Sequence, residues 1–366
     1  MTIIIFIAGI ILAFVGIIFA IIKFRKSKKE EGFASLLFST GIMLILSAEP
    51  TTIDKILLFI AITTKSENIQ ILAGTFNNYY FFTGIFLVVM SIWLNIYSKK
   101  KIYVLNINGY MVKKLENHFT KLKMSNFEFK EREIDFITLY KKMFVPALNE
   151  DAFECIKEEI SQKVTAFKNE SNGLKRGYTG IAPIPFIMYA GTFLEREVID
   201  EYYEFDKIKT ETYYKLSKNK NANTPKIKIN TDINSLNKSS EELVISISLT
   251  QQISEGDLSQ FHNIEKVNIG IDNPQDNTIQ SKQQLFEYRN FIIENIECIS
   301  KTLPDLKTIH LIYSGQSCLP LEIGRRSIDS TRLPQIISYQ YERQSDIKYP
   351  WGIVINGQDK GELIKV

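Results

Sequence analysis

Three apolar segments fill most of the first hundred residues and constrain this chain more than any other feature. Ile3–Ile22 contains only Ile, Phe, Ala, Gly, Leu and Val, and about 20 apolar residues suffice to cross a bilayer as a helix. Gly32–Ala48 and Tyr79–Tyr97 are the other two segments. Later residues have the composition of an ordinary soluble domain. The sequence therefore predicts an all-α transmembrane bundle over residues 1–101 and a soluble domain over 102–366.

Basic residues predict the orientation of these segments, because the cytoplasmic flanks of membrane helices are enriched in Lys and Arg. The clusters Lys23–Lys29 and Lys99–Lys101 are therefore both placed inside, which requires an even number of crossings between them. The short apolar run Ile56–Ile62 is bracketed by charged residues and is interpreted as an interfacial or re-entrant helix over about 52–64. We expect three spans, an outside N-terminus and a cytoplasmic soluble domain. Four spans would leave one basic cluster outside.

The three predicted spans contain no ionisable side chain, which disfavours a proton or ion relay through buried charges. A single span would be enough for an anchor. Three spans and an interfacial helix therefore favour a bundle that acts on the membrane itself, with a passive anchor as the alternative. Close approach between the helices is predicted at small residues, namely Gly9, Gly16, Gly41 and Gly84.

Predicted strands and helices alternate in the soluble part, a pattern typical of an α/β domain with a largely parallel sheet. Lys101–Leu105 reads as a short strand or as a continuation of the last membrane helix. Asn149–Phe167 has the apolar spacing of an amphipathic helix. Further along, a strand is predicted at Leu243–Leu249, a helix at Gln283–Thr302 and another strand at Thr308–Tyr313.

The order of elements also indicates an internal duplication. Each half has a strand, a proline-containing apolar helix that ends in glycine (Gly191 or Gly324), and a final strand with paired tyrosines. A Lys- and Asn-rich stretch, Ser217–Lys226, is predicted to be an exposed linker between the halves. The predicted halves cover about residues 102–216 and 227–366.

A small polar loop supplies the main candidate site. Ser314-Gly-Gln-Ser317 follows a predicted strand and precedes a predicted helix, where outward-pointing backbone N–H groups favour an anion. An ordinary strand-to-helix turn is the alternative. Lys175 and Arg176 are predicted to lie in the loop before the first half's helix, in reach of an anion there. The candidate anion-binding residues are therefore Lys175, Arg176, Ser314, Gly315, Gln316 and Ser317.

The sequence offers no catalytic set and no metal site. Its three histidines, His118, His262 and His310, are scattered, and its three cysteines have no paired spacing. Glu128 and Lys130 resemble part of a nuclease motif, but one Glu-x-Lys is expected by chance in 366 residues. A net charge of +3 is too small to indicate DNA or RNA binding by electrostatics alone. We therefore expect no enzyme activity, no metal or cofactor and no nucleic-acid substrate.

Several segments of the soluble part resemble the SAVED domain family. The resemblance rests on hydrophobic patterns with Gly and Pro, and it covers much of residues 170–366. The segments concerned are Ile181–Phe186, Tyr202–Asp206, Ile309–Ser314, Leu319–Arg325 and Leu333–Tyr341. The resemblance implies two fused CARF-like, Rossmann-related halves that sense a cyclic oligonucleotide in bacterial anti-phage signalling (CBASS).

SAVED sensors are fused to varied effectors, and this chain is similar to the transmembrane type. The resemblance implies that a cyclic oligonucleotide, by expectation a trinucleotide, binds between the halves. Lys175, Arg176 and the Ser314–Ser317 amides would neutralise its phosphates, and Tyr178 would stack on a base. Ligand-driven homo-oligomerisation would then cluster the bundles among the lipids, breach the bacterial inner membrane and kill the infected cell. A membrane-tethered sensor or scaffold that recruits a separate effector is the alternative.

Overall fold

The chain forms two units in a computed structural model. One unit comprises residues 1–101 with the short segment 172–174, and the other comprises residues 102–171 and 175–366. The helix predicted over about 52–64 lies outside the described residues. The structure describes residues 2–25, 29–48, 78–111, 115, 122, 129–144, 148–195, 197–220, 224–327 and 333–366.

The N-terminal unit contains the helices α1 (Thr2–Arg25), α2 (Lys29–Ala48) and α3 (Asn78–Lys100). Glu31–Ala48 in α2 and Tyr79–Tyr97 in α3 are long and apolar enough to cross a membrane. Ile10–Phe24 in α1 is a shorter apolar stretch. These lengths and compositions are compatible with membrane insertion, and the three-span topology stays a prediction.

Small residues bring α1, α2 and α3 into close contact. A Cβ on Gly41 of α2 would lie 2.8 Å from the carbonyl oxygen of Gly84 in α3, and a Cβ on Gly84 would lie 2.7 Å from that of Gly41. The buried Ser91 hydroxyl of α3 donates a 2.7 Å hydrogen bond to a carbonyl oxygen of α2. Gly16 of α1 packs closely on the Ser39 side chain of α2. Membrane helices commonly associate through such small residues and interhelical hydrogen bonds.

The first sheet of the second unit has five strands in the order β2-β1-β3-β4-β5. The strands β1 to β4 are parallel, and β5 is antiparallel to β4. The segment after the third helix is thus a strand rather than a continuation of that helix. The strands are β1 (Ile102–Asn108), β2 (Phe129–Asp135), β3 (Lys175–Ile181), β4 (Glu201–Asp206) and β5 (Thr212–Lys215). The helices α4 (Ile137–Lys142) and α5 (Glu150–Glu170) join β2 to β3, and α6 (Ile184–Leu194) joins β3 to β4.

The second sheet has seven strands in the order β6-β8-β7-β9-β10-β11-β12. The strands are β6 (Lys228–Ile229), β7 (Glu242–Ser248), β8 (Glu265–Gly270), β9 (Thr308–Ser314), β10 (Gln335–Gln340), β11 (Trp351–Val354) and β12 (Leu363–Lys365). The helix α7 (Lys282–Thr302) joins β8 to β9, and α8 (Cys318–Arg326) joins β9 to β10. Two short 3-10 helices, Ile233–Ser235 and Ser259–Phe261, lie in the connections before β7 and β8.

The two sheets share one topology. The order β8-β7-β9-β10-β11 repeats the order β2-β1-β3-β4-β5. In the second sheet β8, β7, β9 and β10 are parallel and β11 is antiparallel, as in the first. Helices follow β2 and β3 in the first sheet, and they follow the corresponding strands β8 and β9 in the second. The predicted α/β class is confirmed, and a repeated topology is what an internal duplication would produce.

The long helices of the two sheets begin at side-chain caps and bury one face. The Asn149 side chain accepts a 3.1 Å hydrogen bond from the backbone N–H of Ala152 at the start of α5. The Ser281 hydroxyl accepts a 3.2 Å hydrogen bond from the N–H of Gln284 at the start of α7. Such caps satisfy N–H groups that have no partner within the helix. Apolar side chains at helical spacing then fix each helix on its sheet, as Phe153, Ile156, Ile160, Val164 and Phe167 do for α5.

The short helices α6 and α8 pack on each other at two glycines. A Cβ on Gly191 would lie 2.3 Å from the carbonyl oxygen of Leu321, and a Cβ on Gly324 would lie 2.0 Å from that of Met188. The prediction that each glycine ends its helix is wrong, because both lie inside helices that continue to Leu194 and Arg326. Their role is close packing, which joins the two sheets through one reciprocal helix contact.

A fully buried carboxylate also links the two sheets. Glu322 of α8 is 0% exposed. Its carboxylate accepts a 2.5 Å hydrogen bond from the Tyr202 hydroxyl of β4 and a 2.7 Å bond from Arg289 of α7. Arg325, one turn along α8, makes a second ion pair with the same carboxylate. This cluster buries one carboxylate and most of two guanidinium groups, so removing any one of them would leave a buried charge without its partner.

His310 provides a pH-dependent contribution to stability within the second sheet. Its ring is packed on Phe261 and Tyr339, and its Nδ1 lies 2.9 Å from the Tyr339 hydroxyl. Burial lowers the pKa of His310, although the nearby carboxylate of Glu242 opposes this. The unfolded chain therefore binds a proton more readily than the folded chain.

We expect the free energy of unfolding to fall as the pH drops below about 6.5, the ordinary pKa of histidine. The loss should continue down to the lower pKa of the folded state. Chemical denaturation of the full chain at a series of pH values measures this dependence. A His310→Phe variant should show a flatter profile, and an unchanged profile would contradict the assignment.

Candidate ligand-binding cleft

A cleft lies at the carboxyl ends of β3, β4 and β9 and has a volume of about 210 Å³. Open α/β sheets bind ligands at this edge because the loops that follow the strands converge there. Both sheets contribute to it. The lining residues are Tyr110, Gly180, Ile181, Ala182, Ile184, Glu204, Phe205, Lys207, Ile208, Thr250, Asp276, Asn277, Gly315, Gln316 and Ser317.

The predicted Ser314–Ser317 loop forms one wall of the cleft. Gly315, Gln316 and Ser317 line the cavity. Ser314 does not, because its hydroxyl and carbonyl oxygens accept backbone N–H groups of residues 249–251. The Tyr313 hydroxyl donates a 2.8 Å hydrogen bond to the Gln316 carbonyl oxygen and lies 2.3 Å from the position of a Cβ on Gly315. Glycine is therefore required at 315 to let this tyrosine hold the loop.

Tyr178 holds the same loop from the first sheet. Its side chain is 0% exposed, and its hydroxyl donates a 3.4 Å hydrogen bond to the Ser317 carbonyl oxygen. A Cβ on Gly180 would lie 2.5 Å from this hydroxyl, so Tyr178-Thr-Gly180 repeats the arrangement of Tyr313-Ser-Gly315. Burial raises the pKa of Tyr178 well above its ordinary value. Tyr178 was predicted to stack on a base, but the structure places it beneath the loop and outside the lining of the cleft.

Gln316 fixes the loop to both sheets. Its side-chain nitrogen donates to the Tyr214 hydroxyl at 2.7 Å and to the Ile279 carbonyl oxygen at 2.8 Å. Its side-chain oxygen accepts the Ile279 N–H at 2.5 Å. Because these bonds use the whole amide group, Gln316 presents its backbone rather than a free amide to the cleft.

Glu204 occupies the start of α8, where an anion was predicted to bind. Its Oε1 accepts a 2.7 Å hydrogen bond from the Cys318 N–H and a 3.1 Å bond from the Ser317 hydroxyl. The residue is 5% exposed and lines the cavity. Burial raises the pKa of the Glu204 carboxyl, and the bonds from Cys318 and Ser317 oppose that rise. The protein's own carboxylate thus satisfies the helix N–H that a bound phosphate would otherwise use.

Lys175 and Arg176 lie away from the cleft. They were predicted in the loop before the first half's helix, but they begin the strand β3, whereas α6 follows its other end. At about 3.3 Å per residue, the length of the strand separates them from the cleft. Arg176 pairs with Glu197 at 2.5 Å and donates to the Ser171 hydroxyl at 2.6 Å. The structure gives Arg176 a packing role and does not bring Lys175 or Arg176 near the Ser314–Ser317 loop.

A rigid turn between β4 and β5 supplies a lysine that sequence reasoning missed. Asp206 accepts hydrogen bonds from the N–H groups of Ile208 at 3.2 Å and Lys209 at 3.0 Å, and from the Thr210 hydroxyl at 3.1 Å. The pKa of Asp206 is lowered to about 2, and the hydrogen bond from the Lys209 N–H is the largest cause. The turn places Lys207 in the lining of the cleft. Asp-Lys-x-Lys-Thr after a strand is a turn signal that could have identified it.

Within the described ranges, no group of three His, Cys, Asp or Glu side chains forms a metal site. Lys130, half of the chance nuclease motif, forms a 3.2 Å ion pair with Glu170 and lies over the Tyr103 ring at 4.7 Å. Glu128 lies outside the described residues.

A family model decides what kind of domain surrounds this cleft. The model of the SMODS-associated and fused to various effectors sensor domain, SAVED, matches residues 157–355, more than half of the 366-residue chain. The chain belongs to the SAVED family. The resemblance seen in the sequence is therefore confirmed, and the matched SAVED region holds every lining residue of the cleft except Tyr110.

Solved SAVED/CARF-domain receptors match this chain at low sequence identity. The Acinetobacter baumannii Cap4 SAVED/CARF-domain containing receptor with 3'3'3'-cAAA is 11% identical, with a TM-score of 0.46. The match covers 85% of this chain and 65% of that chain. The Moraxella osloensis Cap4 receptor is 12% identical, with a TM-score of 0.41 over 80% of this chain and 63% of that chain. A search of curated proteins gave no match.

Proposed function

We propose that this chain is a membrane-embedded SAVED effector of CBASS-type defence, activated by a cyclic oligonucleotide. The ligand occupies the cleft between two fused CARF-like halves, formed by the first and the second sheet. Occupied sensor domains associate into homo-oligomers. The attached helices then disrupt the bacterial inner membrane. The protein acts without enzymatic chemistry of its own.

The observation that carries this proposal is the position of the cleft within the SAVED region. It collects loops from the carboxyl ends of strands in both sheets, where nucleotides bind in related α/β folds. Its lining combines loop backbone, a lysine and apolar side chains such as Ile181 and Phe205. A cyclic oligonucleotide needs all three: hydrogen bonds and positive charge for its phosphates, and apolar surfaces for its bases. The ligand of the Acinetobacter baumannii receptor, a cyclic trinucleotide, is the first probe to test.

The apolar surface of the N-terminal helices supports membrane insertion. Phe14 and Ile18 of α1 are 61% and 55% exposed, and Phe82 and Phe86 of α3 are 66% and 64% exposed. Large apolar side chains on the outside and small residues between helices suit a lipid environment better than water. We infer that the bundle is the effector, and that ligand binding acts by clustering it.

A dye-release assay tests this function. The purified full chain is inserted into liposomes that contain a quenched dye, and cyclic di-, tri- and tetranucleotides are added one at a time, including 3'3'3'-cAAA. We expect release with one ligand class and no release without ligand. The ligand must favour the assembled state for this response, since binding shifts an equilibrium only through differential affinity.

A matched chimera separates the effector from the alternative function. Replacing residues 1–101 by one unrelated span should keep ligand binding and abolish both dye release and cell toxicity. Toxicity that persists in the chimera would instead favour a tethered sensor that recruits a separate effector. Absence of release with every ligand of the panel would overturn the membrane-disrupting function.

A further inference from the structure

Two side chains cross between the halves and cap the short helices of the opposite half. Glu204 of β4 caps α8, because its Oε1 accepts a 2.7 Å hydrogen bond from the Cys318 N–H. Gln340, the last residue of β10, caps α6, because its Oε1 accepts a 3.1 Å hydrogen bond from the Ile184 N–H. Both are nearly buried, at 5% and 7% exposure. Each lies on the strand that follows the short helix of its own half, β4 after α6 and β10 after α8.

The two caps differ in chemical type, one a carboxyl and the other an amide, and each side chain makes further hydrogen bonds. The neutral amide of Gln340 shows that this fold can close a helix start without a carboxylate. Burial removes the hydration that stabilises a charged carboxylate. This loss costs more free energy than the burial of a neutral amide. A carboxyl group at position 204 is therefore not required by the capping role alone, and its place in the lining of the cleft gives it another role.

Negative charge at this wall affects any ligand that carries phosphates. The Ser314–Ser317 loop has the shape of an anion site, but its helix N–H is already bonded to Glu204. A phosphate brought to the same place would meet the Glu204 carboxyl in a region of low dielectric, where an ionised carboxylate repels a phosphate strongly. The described lining contains one basic residue, Lys207, on the turn beyond β4.

We propose that Glu204 determines where the ligand's phosphates lie, excluding them from the start of α8 and directing them to Lys207. This inference rests on the proposed function, since it assumes an anionic ligand in the cleft. A carboxylate accepts up to about four hydrogen bonds, and those to Cys318 and Ser317 both reach Oε1.

Binding of 3'3'3'-cAAA, or of the panel member that the wild type binds most tightly, tests the inference by calorimetry on the detergent-solubilised full chain. Glu204→Gln removes the charge and keeps an acceptor like that of Gln340. It should bind the ligand about tenfold more tightly. Glu201→Gln, three residues earlier on the same strand, removes a charge paired with Lys215 outside the cleft lining. It should leave the affinity within about twofold.

A second pair of variants reports the position of the phosphates. Lys207→Gln should weaken binding about tenfold, because it removes a charged hydrogen-bond donor. Lys209→Gln changes the same turn outside the lining and should have little effect. In the Glu204→Gln background no carboxyl charge repels phosphate from the start of α8, so the Lys207→Gln loss should shrink below about threefold.

The outcomes distinguish a failure of this inference from a failure of the proposed function. If the wild type binds a ligand but Glu204→Gln binds no tighter than Glu201→Gln, the role of Glu204 is wrong and the proposed function stands. An equal Lys207→Gln loss in both backgrounds would also overturn the role of Glu204 alone. If Glu204→Gln does not fold, the affinities of Lys207→Gln and Lys209→Gln are compared instead. Equal affinities would overturn the placement of the phosphates at Lys207. Absence of binding to every member of the panel overturns the proposed function and this inference together.

Discussion

Replacing Glu322 with alanine should lower the free energy of unfolding by about 3–5 kcal/mol, the usual effect of removing one partner from a buried ion pair. Arg289 and Arg325 would be left without a counter-charge in an interior that excludes water. The Tyr202 hydroxyl would lose its acceptor as well. Chemical denaturation of the full chain in detergent measures the loss. With Trp93 changed to Phe, the buried Trp351 becomes the single fluorescent reporter of the second unit.

Glu154→Ala is the matched control for this variant. Glu154 also lies on a helix and pairs with a base, Lys157 at 2.9 Å, but its side chain is 64% exposed. Its removal should cost less than about 0.5 kcal/mol. A loss below about 1 kcal/mol for Glu322→Ala would mean that water reaches the cluster, which contradicts the buried arrangement.

Gly324→Ala should destabilise the fold by about 2–3 kcal/mol, because a new methyl group would overpack the contact between α6 and α8. Its Cβ would lie 2.0 Å from the Met188 carbonyl oxygen, a backbone atom that cannot move away alone. The helices must therefore separate. Since both start beside the cleft, we expect ligand affinity to fall with stability.

Two further variants test this explanation of the helix contact. Gly256→Ala places a Cβ 3.7 Å from the Ser254 hydroxyl, an ordinary contact, and should change stability by less than about 1 kcal/mol. Gly191→Ala should act like Gly324→Ala, since its Cβ would lie 2.3 Å from the Leu321 carbonyl oxygen. One helix separation relieves both clashes, so the double variant should lose less than the sum of the single losses. Additive losses would argue against a shared contact.

Local patterns were enough to predict the α/β class and most of the element order. Strands such as β7 and β9 are short apolar runs between polar turns, and α5 has a regular apolar stripe. Both signals depend on neighbouring residues along the chain. The Ser314–Ser317 loop was found in the same way, because a small polar loop between a strand and a helix is a local feature.

Long-range contacts explain why the site predicted from the sequence was incomplete. Lys175 and Arg176 were placed in a loop because charged residues next to a glycine resemble one. The register with β1, which makes them the start of a strand, is set by residues some 70 positions earlier. Glu204 and Lys207 were missed because the helix start and the cleft wall that define their roles come from the other sheet. Gly191 and Gly324 were misread for the same reason, since each is explained only by the backbone of the other helix.

The reciprocal caps have a consequence for the synthesis of this protein. The first half emerges from the ribosome early, and domains commonly fold as they emerge. The start of α6 is capped by Gln340, and Gly191 packs on α8, so both partners are translated more than a hundred residues later. Until then, the first half exposes an uncapped N–H at Ile184 and the surface of α6 around Gly191, on which α8 later packs. We therefore expect the nascent first half to stay incomplete, and prone to pair with another chain, until the last strands leave the ribosome.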